Sequence, residues 1–149
     1  MIAIDIIESD EVEGLLPVDH GRLHDYAVFI IESGGIKEAE VNVVFVSDEK
    51  MTELNETYRK RKGTTDVLSF DLSDNISEKI EGEVYVSLER AKNQSSEYDI
   101  SFGEEVVRLV THGLLHLTGR VHDTGDAYRS MTEDTEKMVR VFFDVGGSK

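Results

Sequence analysis

Three of the five histidines of this 149-residue chain fall within eleven residues, in the run His112-Gly-Leu-Leu-His116-Leu-Thr-Gly119-Arg-Val-His122. At about 100° per residue, His112 and His116 lie about 40° apart and one turn apart on a helix, a separation from which two imidazoles reach a single ion. Gly119 can take the left-handed conformation that stops a helix and turns the chain, so that His122 swings back as a third ligand. Taken singly, each reads as an ordinary helix or loop histidine; taken as a pattern, they read as a metal site. Three imidazoles with an open fourth position describe a catalytic zinc-type centre, because a structural site is closed by a fourth protein ligand and the sequence offers no obvious one. The chain has no Cys, so such an ion must be held by His, Asp or Glu. Imidazoles also bind nickel and copper, which leaves other divalent transition metals open.

The spacing equals that of the metzincin peptidases, H-E-x-x-H-x-x-G-x-x-H, but Gly113 stands where those enzymes carry their general base. That disfavours a metalloprotease-like hydrolase. A glycine inside a helix also costs about 1 kcal/mol relative to alanine, which implies a neighbouring strand or a ligand close to Gly113. His20 and His24 share the i, i+4 spacing, but with no third ligand nearby they read as surface or helix-start residues.

The helix carrying the pair opens at Ser101, where Ser101 and Glu104 form a capping box, and runs to about Leu117. Upstream, Ile2 to Ile7 reads as a strand, followed by an acidic loop to Pro17. Val18 to Ser33 reads as a helix with Leu23, Tyr26, Ala27, Ile30 and Ile31 on one face and Gly34 as its stop. Val41 to Val46 is a short β-branched run fit for a buried strand. Ser47 or Asp48 caps a helix with Met51, Leu54 and Tyr58 on one face, ending in Arg59-Lys60-Arg61-Lys62. Asp66 to Leu72 alternates, with Leu68, Phe70 and Leu72 on one side and Val67, Ser69 and Asp71 on a polar side. Gly82 to Ser87 is the next strand, joined by a loose hairpin. Leu88, Ala91 and Tyr98 mark a further helix. Tyr128, Met131, Thr135, Met138 and Phe142 mark the last, a stripe that reads as core. Without repeats or a linker, residues 1–149 read as a single domain of about four strands and five helices.

Charge narrows the function. Sixteen basic against thirty-one acidic residues give a net charge of −15, which argues against a general electrostatic grip on nucleic acid. Any contact with RNA must be local, and Arg59 to Lys62 concentrates four of the sixteen cations in one place. Screening beyond about 8 Å lets such a patch act independently of distant acids. No stretch approaches the ~18 residues of a membrane span, and the N-terminal run carries acids where a signal peptide carries basic residues. A cytoplasmic address is expected.

At these residues the sequence resembles the YbeY family of bacterial metal-dependent endoribonucleases, whose signature is HGxLHLxGYDH. His112, Gly113, Leu115, His116, Leu117, Gly119 and His122 match it. Leu54-Asn-Glu-Thr-Tyr-Arg59 and Thr65-Asp-Val-Leu-Ser-Phe70 resemble the family's LN-x2-YR and TDVLSF elements, and Gly82 to Ser87 resembles its GDIxIS strand. The likeness runs from Val41 to Met138. It departs at Arg120-Val121, where the family has Tyr-Asp; here Asp123 follows His122 instead.

The resemblance implies an α+β domain, a short mixed sheet packed against helices with a zincin-like metal-binding helix. It implies one zinc-type ion on His112, His116 and His122 and hydrolysis of single-stranded RNA. It further implies maturation of ribosomal RNA, notably the 3′ end of the small-subunit RNA, with ribosome quality control. By position Arg59 matches the family's functionally important arginine; by its residues alone it would read as a solvated helix-end cation. Arg59 and Asp123 are the catalytic candidates, and Arg59, Lys60, Arg61 and Ser69 the candidate RNA contacts, Ser69 being equally able to face a neighbouring strand. The competing reading is a ribosome-associated RNA-binding factor with a structural metal, which Arg120-Val121 and the acidic charge keep open.

Overall fold

Alternating apolar positions make strands and recurrence every three or four makes helices. The computed structural model describes residues 1–74, 78–119 and 125–145, with side chains for all of these except 125–129 and 145. Its elements are β1 (Ile2–Glu8), α1 (His20–Ser33), β2 (Ala39–Val46), α2 (Asp48–Tyr58), β3 (Val67–Asp71), β4 (Ile80–Ser87), α3 (Leu88–Tyr98), α4 (Phe102–Leu117) and α5 (Gly125–Val145), with a short 3-10 turn at Asp10–Val12. Four strands and five helices among the described residues make the α+β fold that the sequence leads one to expect.

The strands lie in the order β1-β2-β4-β3. β1, β2 and β4 are parallel, and β3 pairs antiparallel to β4 at the edge of the sheet. Register sorts the side chains onto two faces. On one face Ile4, Val41, Val43, Phe45, Val84 and Val86 are buried in the main core beneath α1 and α4. On the other, Val46 and Leu68 pack against Met51 and Leu54 of α2, with Val44, Phe70 and Tyr85 at the margin. Five buried residues of α1, Leu23, Tyr26, Ala27, Ile30 and Ile31, are the stripe read from the sequence.

Helix starts follow the sequence closely. Ser47, Ser87 and Ser101 accept from the backbone N–H groups of Lys50, Arg90 and Glu104 at 3.2, 3.1 and 3.0 Å, each satisfying a donor that the helix leaves open. At Ser101 only half of the expected capping box forms, because the Glu104 carboxylate accepts instead from Arg108 Nη2 at 2.9 Å. α1 stops at Gly34 as the sequence indicates, at an ordinary φ of −85°, and the next residue, Gly35, is left-handed with φ +78°. One further expectation shifts. Tyr58 and Tyr98 are exposed, and Asn55 and Ser95 take the buried places on α2 and α3. The last turns of both helices run past the core that their first turns cover. No described helix is long and apolar enough to cross a membrane.

Arg108 ties α4 to α5. Its Nε and Nη2 donate to the two carboxylate oxygens of Glu136 at 2.7 and 2.8 Å. This hydrogen bonding holds the Glu136 carboxyl below its ordinary pKa, against an opposing effect of partial burial. The pair's stabilisation is therefore present above the unfolded carboxylate pKa of ~4.3 and is lost as pH falls through the lower folded value. Glu136→Gln is expected to lower stability by roughly 1 kcal/mol at neutral pH. The difference in urea midpoint between the two proteins should shrink as the solution is acidified.

Candidate metal centre and nucleic-acid interface

Glu105, His112 and His116 occupy one stripe of α4, at i, i+7 and i+11. Glu105 is 2% exposed and accepts from Gln94 Nε2 at 2.7 Å and Arg108 Nη1 at 3.3 Å. Burial raises its pKa, and the charge of Asp66, the residue before β3, adds to the rise. Asp66 thus lies within electrostatic reach of this stripe. Two turns further on, His112 and His116 are half-buried along the same side.

Gly113, between them, lies against the sheet. A Cβ there would meet Val84 Cγ1 at 2.5 Å, with Ser69 Oγ at 3.2 Å and Val67 Cγ2 at 3.3 Å. One turn on, Leu117 sits over Gly82, where a Cβ would meet Leu117 Cδ2 at 2.8 Å. A glycine on each element brings α4 down onto β3 and β4, so the neighbour implied by Gly113 is a strand. The polar side of β3 faces this helix: Ser69 Oγ donates to the Gly113 carbonyl at 3.0 Å. Ser87 N donates to Asp66 O at 3.0 Å and Leu72 N to Glu81 O at 2.7 Å, so even-numbered positions of β3 bond to β4. The N–H and C=O groups of Val67, Ser69 and Asp71 consequently point to the strand's free edge.

Gly119 ends the helix region with φ +89°, as its position predicts. His122 and Asp123, with Arg120 and Val121, lie outside the described residues. Among the described residues no group of three or more metal-ligating side chains occurs. The donor set that α4 presents, two imidazoles one turn apart on a half-exposed stripe, suits a borderline divalent ion of the zinc type.

Arg59, Lys60, Arg61 and Lys62 are exposed in the loop that follows α2, and among the described residues none of the four forms an ion pair. α2 covers the sheet face opposite α4, so the β3 edge runs between this loop and the histidines. Two residues to which the sequence reading gave no part in the loop hold it, Asn55 and the helix-cap candidate Asp48. Asn55 is buried and its carbonyl accepts from Arg59 N at 3.1 Å and Arg61 N at 3.3 Å. Its Nδ2 donates to Gly63 O at 3.0 Å. Asp48 Oδ1 accepts from Thr64 Oγ1 at 2.7 Å and Ser87 Oγ at 3.1 Å, tying the far end of the loop to β4. Between these anchors Lys60 is left-handed, with φ +58°, an uncommon state for a residue with a Cβ. The signal for Asn55 was available: a polar residue four positions after Met51, on the buried stripe of α2.

Gly113→Ala would gain about 1 kcal/mol of helix propensity and meet an overpacking cost of about 1–3 kcal/mol. Val84 is β-branched and fully buried, so it has no rotamer to retreat into. A net loss of roughly 1 kcal/mol in denaturant unfolding is expected. Ser69→Ala should cost about 1 kcal/mol through its lost hydrogen bond. Stability unchanged or raised in Gly113→Ala would refute the close approach.

The chain is similar to known proteins over most of its length. A protein-family model described as Endoribonuclease YbeY matches residues 18–142. An Endoribonuclease YbeY of Aquifex aeolicus is 34% identical over 119 residues, 79% of each chain. One of Clostridioides difficile is 42% identical over 106 residues, covering 67% of this chain and 69% of its own. The solution structure of TM1509 from Thermotoga maritima superposes with a TM-score of 0.69 at 29% identity, covering 97% of this chain and 92% of that one.

Proposed function

The chain belongs to the YbeY endoribonuclease family, and from that premise we propose that it is a single-strand-specific, zinc-dependent endoribonuclease. Family membership supports the endoribonuclease role. The proposal adds the metal, the preference for single strands and a part in ribosomal RNA maturation, at the 3′ end of the small-subunit RNA, with ribosome quality control in the cytoplasm. The observation that carries it is the seating of His112 and His116 on one stripe of α4, beside the free edge of β3.

His112 and His116 would hold the ion, with His122 as third ligand. When bound, a zinc-type ion supplies Lewis-acid chemistry at a phosphoryl oxygen. The chain's own residues do the rest. The Arg59 guanidinium offers a planar fork to two phosphate oxygens whose charge grows in the transition state. Lys60 and Arg61 neutralise neighbouring phosphates. Ser69, its proton given to the Gly113 carbonyl, fixes the edge strand along which RNA would lie and keeps lone pairs for a substrate donor. Asp123 is the candidate carboxylate for moving a proton. The anchored loop supports the role of Arg59, because a side chain that must meet a transition state needs a fixed backbone.

Wild-type protein should carry close to one zinc-type ion per chain, and its cleavage of single-stranded RNA should stop with chelator. Substituting His112→Ala and His116→Ala together should empty the site by elemental analysis. Full metal content in that variant would mean the ligands lie elsewhere, and metal with no RNA cleavage would favour a binding factor. The ligands must be neutral to bind, so affinity should fall as pH drops below the imidazole value of ~6.5. Arg59→Ala should lower single-turnover cleavage about 10²-fold with metal content and Tm unchanged, and Arg59→Lys should restore only part, having charge without the fork.

A further inference from the structure

The residue before Arg59 has no part in this scheme. Tyr58 ends α2 with 66% of its surface exposed, although it is the next member of the apolar series begun by Met51 and Leu54. Its ring stands edge-on to Phe70 at a centroid distance of 5.7 Å, and Phe70 stands edge-on to Tyr85 at 5.8 Å. The Tyr85 hydroxyl donates to Glu83 Oε1 at 2.9 Å, which fixes the far end of the row. The result is a braced aromatic row whose outermost ring is open to solvent, followed in the chain by the four cations of residues 59–62.

The geometry points to Tyr58 as a stacking site for a base of single-stranded RNA, an inference that rests on the function proposed above and names a recognition element within it. Every base has a π-face, so an aromatic ring beside a cationic groove binds single strands with little sequence preference. A base-paired duplex cannot offer such a face without unstacking. Charge limits the site to one ring. Beyond Tyr85 the same sheet face carries Asp5, Glu40, Glu81 and Glu83, by register and alternation, and those carboxylates repel phosphates. A strand is thus directed with its base on Tyr58 and its backbone toward Arg59 to Lys62, and is turned away from the rest of the sheet.

The test is binding, kept apart from cleavage by chelator. Wild type, Tyr58→Phe, Tyr58→Leu and Tyr58→Ala are titrated by fluorescence anisotropy with a single-stranded RNA oligonucleotide and with the same ribose-phosphate strand lacking bases. For the RNA, Tyr58→Phe should bind as wild type, and the Ala and Leu variants about 10-fold more weakly. For the baseless strand all four proteins should bind alike. Leu keeps an apolar cover on Phe70, so full affinity in Tyr58→Leu would show that the ring is packing only. Equal RNA affinity in all four would overturn the inference and leave the nuclease function standing. An equal loss on both strands in Tyr58→Ala would also overturn it, by tracing the effect to the loop. Failure of the chelated wild type to bind RNA at all would overturn the inference, and the chelator-free cleavage assay described above then decides the function by itself.

Discussion

The site depends on a contact in which a single methyl group would not fit. α4 reaches the sheet because Gly113 has no side chain, and the space a Cβ would need is filled by Val84, a stiff residue at the centre of the core. Interiors are packed to crystal density, so such an approach is all or nothing. It fixes more than a distance. Once the Gly113 face is pressed on β4, helix geometry turns His112 and His116 toward β3, and Ser69 can reach the Gly113 carbonyl. The helix propensity given up at Gly113 is the cost of placing two imidazoles beside a strand edge.

The second constraint is electrostatic. In a chain of charge −15, a phosphate is repelled by most of the surface, so any affinity for one would have to come from a small region held in place. The turn after α2 is such a region, fixed by hydrogen bonds. Asn55 satisfies the backbone at the start of the loop and Asp48 fastens its end, which offsets the cost of a left-handed Lys60. Local strain kept by surrounding bonds is a common feature of binding loops. A flexible run of four lysines and arginines would carry the same charge without presenting it in one direction.

A third set of contacts joins the helices above the sheet. Arg108 bonds to Glu104, Glu105 and Glu136 at once, so one cation is shared by α4 and α5. Gln94 brings α3 into the same cluster through Glu105. A buried carboxylate is costly unless its lone pairs are used, and both Glu105 oxygens accept hydrogen bonds here. The cluster stands on the stripe that leads to His112, so bracing the helix also braces His112 and His116.

Much of this was determined by sequence alone, and the divide follows the range of the interaction. Serine caps at 47 and 101, the apolar stripe of α1, the stop at Gly119 and the i, i+4 pair of histidines are all settled within a few residues of chain. Periodicity and capping chemistry act at that range, and they were legible. The hairpin that pairs β3 antiparallel with β4 was legible too, but the place of β3 at the edge of the sheet was not, since nothing in Val67 to Asp71 sets the strand order β1-β2-β4-β3. Its polar side left Ser69 between a substrate contact and a neighbouring strand, and the tertiary structure turned that side toward α4 and gave Ser69 a partner forty-four residues away. Tyr58 and Asn55 exchanged the roles that periodicity suggests because α2 extends beyond the core it covers. Those outcomes are decided by which distant surfaces meet, and a helical or strand period carries no information about a neighbour from elsewhere in the chain.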